Sequence, residues 1–387
     1  MKGVVNRLNL ATIVEGRTAL RVPRGSLSPV PPTIPVFYNP AASINRSISV
    51  AIAEAAGGTT FCDALAGIGA RGVRVATEAK RKSVTMVDVN ADSIRLARRN
   101  ARLNRVDANC EFVHAEANSY LYSRYGKDLK FDHVDVDPFG TPVPFLQSAL
   151  HATKGGGLAS FTATDTAVLC GVHIRVAERR YGGTPINNHF HHETGVRILL
   201  NAIRREAASL DLGMRPVMVH STRHYIRVYV RVEVGASKAE AARGSEGFLL
   251  WCRRCGNLAK AAVGEIRCEK CGGRPKVAGP LWVGELTEPL TLRDAVAVSG
   301  RLNLPEATKV LSSLLGVDEF PPWSFSIEGI CSNLRIASVP DSEVADRLKA
   351  QGYKTKRQPL ERTGLKTDAT YAEVVEAVRA TASLRRD

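Results

Sequence analysis

The chain has 387 residues, of which 44% are hydrophobic and 24% are charged, an ordinary balance for a folded protein of two or three domains. No apolar run approaches the roughly 20 residues that span a bilayer, and the N-terminus carries no apolar signal segment. We therefore expect neither membrane insertion nor secretion, and place the protein in the cytoplasm. Lys and Arg outnumber Asp and Glu by 53 to 38, and the formal charge of +15 favours a polyanionic partner such as nucleic acid.

The N-terminal segment, residues 1–36, is basic and ends in a proline-rich stretch. This pattern predicts a short strand pair followed by an extended arm. The motif Phe37-Tyr38-Asn39-Pro40 comes next, and Asn45-Arg46 opens an apolar helix that runs to about Ala56. An arginine at such a helix start is usually a surface charge, so its meaning depends on the segments that follow.

A strand, a glycine turn and a helix are predicted for residues 60–72. Small residues at such a turn let the backbone approach a ligand closely, and the helix N-terminus favours the negative groups of that ligand. Dehydrogenases and methyltransferases share the pattern G-x-G-x-x-G, which is formed here by Gly67, Gly69 and Gly72. Asp63, four residues before the first glycine, favours the methyltransferase interpretation.

Two further acids follow predicted strands. The strand of residues 83–87 ends in Asp88, at a position where an acid commonly binds the ribose hydroxyls of an adenosine cofactor. A third strand, residues 109–113, leads to Glu116-Ala117-Asn118, where a carboxylate can accept a hydrogen bond from an adenine amine. Strands that alternate with helices in this way predict a parallel, doubly wound α/β sheet.

The fourth predicted strand, residues 131–136, stops at Asp137-Pro138-Phe139-Gly140, at the edge where open α/β sheets bind ligands. This composition fits catalysis of methyl transfer to an exocyclic ring amine, a weak nucleophile whose lone pair is shared with the ring. The Asp137 carboxylate and the Pro138 carbonyl can accept the two N–H bonds, while Phe139 stacks on the base. The alternative is an ordinary strand end, because Asp and Pro are common in turns.

A fifth strand, residues 158–162, and a hairpin, residues 215–220 and 224–234, complete the predicted sheet. An antiparallel pair at its end favours a methyltransferase over a dehydrogenase. Alternation in the last strand predicts that its apolar side chains face the core. The side chains predicted to face outward are Tyr225, Arg227, Tyr229, Arg231 and Glu233.

Cysteines and histidines suggest one metal site. Two C-x-x-C pairs separated by 12 residues predict a closed, structural zinc site of four thiolates: Cys252, Cys255, Cys268 and Cys271. The scattered positions of the other four cysteines argue against a disulfide framework. The segment of residues 187–193 is rich in histidine, but no two histidines have the spacing of zinc-binding helices, so we do not expect a metal there.

A polar linker near residues 235–246 divides the chain. We predict a catalytic domain with an N-terminal arm over residues 1–235 and a second domain with the zinc knuckle over residues 236–387. The C-terminal part of the second domain has helical patterns, a basic strand at residues 353–357 and a final amphipathic helix, which predicts a small helix-rich domain with a β-wing.

In combination, these segments resemble the tRNA guanine-26 N2-dimethyltransferase family in its compact archaeal form, nearly from end to end. The D-P-F-G motif is similar to this family's own variant of the D-P-P-Y motif of other amino methyltransferases. The other motifs that carry the resemblance are Phe37 to Pro40 with Asn45-Arg46, Asp63 to Arg74, Thr162 to Thr166 with Cys170-Gly171, His192-Glu193 with Gly195, the four-cysteine knuckle, and Gly364 to Thr367.

The resemblance implies an enzyme that transfers methyl groups from S-adenosylmethionine to N2 of guanine 26 in tRNA, giving N2-methyl- and N2,N2-dimethylguanosine. It also implies a Rossmann-like domain with a mixed seven-stranded sheet and a smaller zinc-containing α+β C-terminal domain that binds tRNA. The cofactor-binding set becomes Arg46, Asp63, Gly67, Gly69, Arg71, Asp88, Glu116 and Ala117. Two arginines suit the methionine carboxylate.

Two departures from the family pattern affect the cofactor site. Glu116 replaces the family's usual Asp, and the glycine turn of residues 66–70 lacks the usual Ser. Alternative functions also stay open: an N2-guanine methyltransferase for another tRNA position, an adenine-N6 methyltransferase, or a tRNA-binding protein without catalysis. Because a pure binder has no need of an adenosine site, cofactor titration separates it from the enzymes.

Overall fold

The computed structural model describes residues 9–28, 36–79, 81–124, 129–222, 224–262 and 267–384. The predicted proline-rich arm, residues 29–35, lies outside these ranges. The strands are β1 (Leu10–Glu15), β2 (Thr18–Pro23), β3 (Thr60–Asp63), β4 (Ser83–Asp88), β5 (Cys110–His114), β6 (Phe131–Val136), β7 (Thr153–Ala163), β8 (Leu212–Thr222), β9 (Tyr225–Val234), β10 (Glu246–Trp251), β11 (Leu258–Ala261), β12 (Lys276–Trp282), β13 (Thr355–Arg357) and β14 (Leu365–Thr367).

The helices alternate with the strands in the first half of the chain and dominate its last third. They are α1 (Ser43–Ala55), α2 (Ala70–Glu78), α3 (Ala91–Leu103), α4 (Ala117–Tyr122), α5 (Leu146–Ala152), α6 (Thr166–Leu169), α7 (Ile174–Tyr181), α8 (His191–Ala208), α9 (Ala236–Arg243), α10 (Pro289–Arg301), α11 (Pro305–Leu314), α12 (Ile327–Leu334), α13 (Asp341–Ala350) and α14 (Tyr371–Ser383).

A mixed seven-stranded sheet forms the centre of the molecule, in the order β5-β4-β3-β6-β7-β9-β8. The strands from β5 to β7 are parallel, whereas β9 runs antiparallel to both β7 and β8. The predicted fold class is therefore confirmed. Because the strand order reverses between β3 and β6, a crevice opens beyond their carboxyl ends, which is where ligands bind in such sheets. Asp63 lies opposite Asp135 at this point.

The last strand of the hairpin, β9, differs from its prediction. Arg227 and Tyr229 are fully buried, so the expectation that they face solvent was wrong. Helix α1 covers this face of the sheet: the Ser49 hydroxyl lies 2.9 Å from the Tyr229 hydroxyl and accepts a hydrogen bond from Arg227 at 3.1 Å. Period-two alternation distinguishes the two faces of a strand, but it does not reveal that both are covered.

Smaller elements surround the sheet. The β1–β2 hairpin packs on α2 and α3, and β10 lies between β11 and β12 in a separate three-stranded sheet. Helices α10 and α11 pack on α1 in the main core, whereas α12 to α14 form a second core with the β13–β14 pair. The domain boundary at residues 235/236 stays a prediction. No helix in the described parts of the chain is long and apolar enough to cross a membrane.

Candidate active site and zinc site

The D-P-F-G turn lies at the carboxyl end of β6, where the sequence predicted it. Gly140 has a φ of +79°, a conformation that L side chains rarely adopt. Its N–H donates to the Thr164 hydroxyl at 2.7 Å, and its carbonyl accepts the Thr164 N–H at 2.8 Å. These two bonds tie the turn to the end of β7. They hold Asp137 and the half-buried Pro138 at the crevice.

Asp137 forms an ion pair with Arg71, which comes from helix α2. The Arg71 Nε also lies 3.1 Å from Asp135 Oδ1, and its Nη1 donates to Asn45 Oδ1 at 3.0 Å and to the Ser49 hydroxyl. Arg71 thus links the two acids of the β6 end. Its hydrogen bonds use three of its five N–H donors, and the Nε contact with Asp135 Oδ1 is an ion pair without a hydrogen bond.

The charge state of Asp137 follows from these neighbours. Burial raises the pKa of Asp137, but the charges of Arg71 and Arg227 and hydrogen bonds from Thr162 and Arg71 hold it below its ordinary value. The side chain is 26% exposed, so the carboxylate is accessible to a ligand. Asp137 is therefore an anionic hydrogen-bond acceptor at neutral pH.

Arg227 is a functional candidate that the sequence analysis missed. Its guanidinium pairs with Asp135 and donates to the Thr162 hydroxyl at 2.6 Å and the Tyr229 hydroxyl at 2.8 Å. Both Arg227 and Asp135 are fully buried. The alternating pattern of β9 gave no signal for this role, since it placed Arg227 on an exposed face.

An aromatic pair lies on the open side of the site. Phe139 is 85% exposed, an unusual position for a phenyl ring, and follows Asp137 by two residues. The Phe37 ring lies 5.9 Å from it between centroids, with the planes 56° apart. In the sequence, Phe37 stood out only as part of a motif, with no sign of this contact. Together the two rings offer apolar faces to a planar ligand beside the carboxylate.

The glycine turn between β3 and α2 adopts the geometry that its sequence requires. Gly67 and Gly69 have φ values of +53° and +75°. A Cβ on Gly69 would lie 2.8 Å from Ala97 Cβ, whereas one on Gly67 would meet nothing within 4 Å. Gly69 therefore permits close helix packing, and Gly67 leaves open space at the turn. Asp88 accepts the Gly67 N–H at 2.8 Å, so the acid after β4 also orders the turn.

Asp63 lies behind this turn and is almost completely buried. It accepts the Gly72 N–H at 3.0 Å. Burial and the negative charge of Asp135 raise the pKa of Asp63 to about 7, against the opposing charge of Arg71. Its structural contact is thus with the first turn of α2.

Arg46 and Glu116 each have protein partners. Arg46 donates from Nε to Glu15 Oε2 at 2.8 Å and from Nη2 to the Asn39 carbonyl at 2.9 Å. The exposed Glu116 caps α4 by accepting the N–H of Asn118 at 2.9 Å. Burial raises the pKa of Glu116, but hydrogen bonds from the backbone N–H groups of Ser119 and Asn118 outweigh this effect and hold the pKa below its ordinary value. The buried Ala117 begins the capped helix.

The cysteine knuckle has the dimensions of a four-thiolate zinc site. The sulfur atoms all lie within 4.8 Å of one another. Cys252 and Cys271 are 3.5 Å apart, and Cys255 and Cys268 are 3.6 Å apart. A Zn–S bond of about 2.3 Å in a tetrahedral site requires S···S distances of about 3.8 Å. The four residues therefore fit zinc, which would act as a structural cross-link.

Each half of the knuckle has the same backbone turn. The Cys252 carbonyl accepts the Gly256 N–H, and the Cys268 carbonyl accepts the Gly272 N–H, both at 2.8 Å. Both glycines have positive φ, at +74° and +66°. This pseudo-symmetry brings the two C-x-x-C pairs together because a glycine after each pair reverses the chain.

A doubly wound sheet that ends in an antiparallel pair, a glycine turn after its first strand and acids at the carboxyl edge define a Rossmann-like methyltransferase fold. Residues 16–379 match the family model described as TRM, N2,N2-dimethylguanosine tRNA methyltransferase, and the chain belongs to this family.

Individual relatives agree with the family assignment. The tRNA (guanine(26)-N(2))-dimethyltransferase of Methanosarcina acetivorans is 35% identical over 95% of this chain and 98% of the relative. That of Aeropyrum pernix is 34% identical over 97% of this chain and 98% of the relative. The structure of Trm1 from Pyrococcus horikoshii with S-adenosyl-L-methionine matches with a TM-score of 0.84 and 29% identity, over 95% of this chain and 99% of that one.

Proposed function

We propose that the protein transfers methyl groups from S-adenosylmethionine to N2 of guanine 26 in tRNA, giving N2-methyl- and N2,N2-dimethylguanosine. The observation that carries this proposal is the anionic Asp137 beside the exposed Phe139 ring at the crevice of a methyltransferase sheet. The names of the full-length relatives support the same substrate and position.

The proposed cofactor site is the crevice above the glycine turn. Asp88 uses one oxygen for Gly67 and the other for the Asn90 N–H at 2.8 Å, and each oxygen keeps a second lone pair for a ribose hydroxyl. Glu116 can likewise accept from adenine while it caps α4. The open space at Gly67 admits the ligand close to the backbone.

Two arginines are assigned to the methionine carboxylate. The hydrogen bonds of Arg46 to the described residues use Nε and Nη2, so Nη1 is the group that we assign to the ligand. The hydrogen bonds of Arg71 use three of its five N–H donors and its Nε lies against Asp135, so a bidentate contact with the ligand would compete with these partners. Arg46 and Arg71 therefore contribute unequally in this proposal.

Methyl transfer to guanine N2 depends on the orientation of the exocyclic amine. The bound cofactor supplies an electrophilic sulfonium methyl group, to which the N2 lone pair adds as the carbon–sulfur bond breaks. The Asp137 carboxylate accepts one N–H of the amine and the Pro138 carbonyl accepts the other, which turns the lone pair toward the methyl group. Asp137 then takes or relays the proton that N2 loses. The methylated nitrogen is a strong acid, so a carboxylate of low pKa is basic enough.

The aromatic pair is proposed to hold the guanine ring. A base stacked within tRNA must leave its stack to reach Asp137, at a cost of a few kcal/mol that stacking on Phe139 and Phe37 offsets. Phosphate contacts supply the remaining affinity. The zinc knuckle is a candidate for these contacts, because it exposes Arg253, Arg254, Lys270, Arg274 and Lys276.

We further propose that residues 236–387 act as a tRNA-binding domain and that the enzyme works in the cytoplasm. The structure describes all eight cysteines and none of them forms a disulfide, which fits a reducing compartment.

The first experiment combines labelled S-adenosylmethionine with unmodified tRNA transcripts, followed by identification of the nucleoside by mass and of its position by fragment mapping. The expected product is N2,N2-dimethylguanosine at position 26. Methylation at another position would establish the alternative methyltransferase. Binding of cofactor and tRNA without any product would favour a protein that binds tRNA without catalysis.

The role of Asp137 is tested with Asp137→Ala and with the exposed control Asp107→Ala. Asp137→Ala should abolish transfer and leave the affinity for S-adenosylmethionine nearly unchanged, because the assigned role is to orient the amine. Isothermal titration measures the cofactor affinity separately from the transfer assay. An equal loss of both in Asp137→Ala, with Asp107→Ala normal, would contradict the assignment.

A further inference from the structure

A second cluster of metal-ligating side chains lies away from the four-cysteine knuckle. One ligand atom from each of Cys170, His191 and His192 lies within 4.8 Å of the other two. Cys170 follows the last residue of α6, and the two histidines begin α8. Spacing within the histidine-rich segment gives no sign of this cluster, because the cysteine lies more than 20 residues earlier in the chain.

Two glycines allow this close approach of α6 and α8. Gly171 has a φ of +88°, and a Cβ there would lie 2.8 Å from the backbone nitrogen of Asn187. A Cβ on Gly195 would lie 3.1 Å from the Leu169 carbonyl. The end of α6 therefore packs directly against the segment that leads into α8 and against α8 itself. This packing brings the Cys170 thiol to the two imidazoles.

The two imidazole rings make the kind of hydrogen bond that metal-binding histidines usually make. His191 Nδ1 lies 2.5 Å from the Asn188 carbonyl, and His192 Nδ1 lies 2.6 Å from Glu361 Oε2. Since both partners are hydrogen-bond acceptors, each Nδ1 carries the proton and the lone pair lies on Nε2. Metal-binding histidines show this pattern, in which the second ring nitrogen donates to a carbonyl or a carboxylate.

The surroundings of the cluster also supply negative charge that would compensate the charge of a bound cation. The Glu361 carboxylate is nearly buried and accepts the backbone N–H of His192 at 2.7 Å and that of Glu193 at 3.3 Å. Cys170 is 7% exposed. With the Cys170 sulfur as a thiolate, the cluster and Glu361 together carry two negative charges, which balance a divalent cation.

We propose that Cys170, His191 and His192 form a second metal site, which binds a borderline-soft divalent transition-metal ion, with zinc favoured. A thiolate and two imidazoles are ligands that zinc prefers, and three protein ligands leave a fourth position for water or an exogenous ligand. The ion would fasten α6 to the start of α8 and, through Glu361, to the C-terminal segment. This proposal does not depend on the methyltransferase activity.

Equilibrium dialysis of the full-length protein against buffered zinc, with metal analysis by mass spectrometry, tests the stoichiometry. The wild type should bind two zinc ions per chain, and Cys170→Ser should bind one. His191→Gln should also bind one zinc ion per chain. Because His191 is only half-buried, this variant tests the site even if Cys170→Ser fails to fold. The control Cys331→Ser, at a buried cysteine in the second core, should keep two.

Cobalt substitution gives a second readout. The thiolate-to-cobalt charge-transfer absorbance should increase with the number of bound cysteines, so Cys170→Ser should lose part of this absorbance and keep the part that comes from the four-cysteine site. One zinc ion per chain in the wild type, unchanged in a folded Cys170→Ser or His191→Gln protein, would overturn the proposal. The cluster would then be a hydrogen-bonded contact between α6, α8 and Glu361.

Discussion

Replacement of Arg227 by methionine tests the buried charge network behind the active site. The change removes a cation that pairs with Asp135 and donates hydrogen bonds to Thr162, Ser49 and Tyr229. Methionine has a similar length and can fill much of the space. The dominant effect should therefore come from charge and hydrogen bonding and not from a cavity.

The expected loss of stability follows from burial. Asp135 and Arg227 are both fully buried, and removal of one partner of such a pair costs about 3–5 kcal/mol because the other charge remains in the interior. Arg71 Nε still lies 3.1 Å from Asp135 and compensates part of this charge. We therefore expect a loss near the lower end, about 3 kcal/mol. The pKa of Asp137 should also rise, because Arg227 helps to lower it.

Urea unfolding followed by circular dichroism measures the change in the free energy of unfolding. Arg231→Met is the matched control on the same strand. Arg231 pairs with the partly exposed Glu288, so its loss should cost about 1 kcal/mol or less. The double variant Asp135→Asn with Arg227→Met should recover part of the loss, since no unpaired charge remains. A cost for Arg227→Met no larger than that for Arg231→Met would refute this account of the network.

Three further predictions concern pH, zinc and salt. Burial raises the pKa of Asp63 to about 7, so between about pH 4 and 7 the folded chain keeps a proton that the unfolded chain releases. As the pH rises through this range, the free energy of unfolding should therefore fall by up to about 1.4 kcal/mol per pH unit. Asp63→Asn should remove this slope in urea unfolding at pH 5 and 7, and an unchanged slope would show that another group titrates. Cys252→Ser with Cys271→Ser should release zinc and lower the melting temperature, whereas equal stability would exclude a structural site. The affinity for tRNA, measured by filter binding, should fall steeply with salt, and a flat dependence would contradict phosphate anchoring.

Local patterns in the sequence were sufficient for much of the architecture. The strand at residues 131–136 has the bounds that its apolar pattern predicted. The positions of Gly67 in a turn and of Asp88 and Asp137 at strand ends followed from the same kind of pattern, because a strand end and a glycine turn are encoded in a few adjacent residues. The four-cysteine knuckle was equally local, since the spacing of its two pairs specifies a tetrahedral site.

The tertiary structure decided which distant side chains meet. Arg71 lies between Asp135 and Asp137, and the chain separation of more than 60 residues gave no indication of this contact. Arg227 is buried because α1 covers a face of β9 that the alternating pattern assigned to solvent. Cys170 reaches His191 because two helices pack closely at glycines. The periodicity of a segment indicates which of its side chains prefer to be buried. Which side chains of other segments they contact depends on how several helices and strands pack together, and this packing exists only in the folded chain.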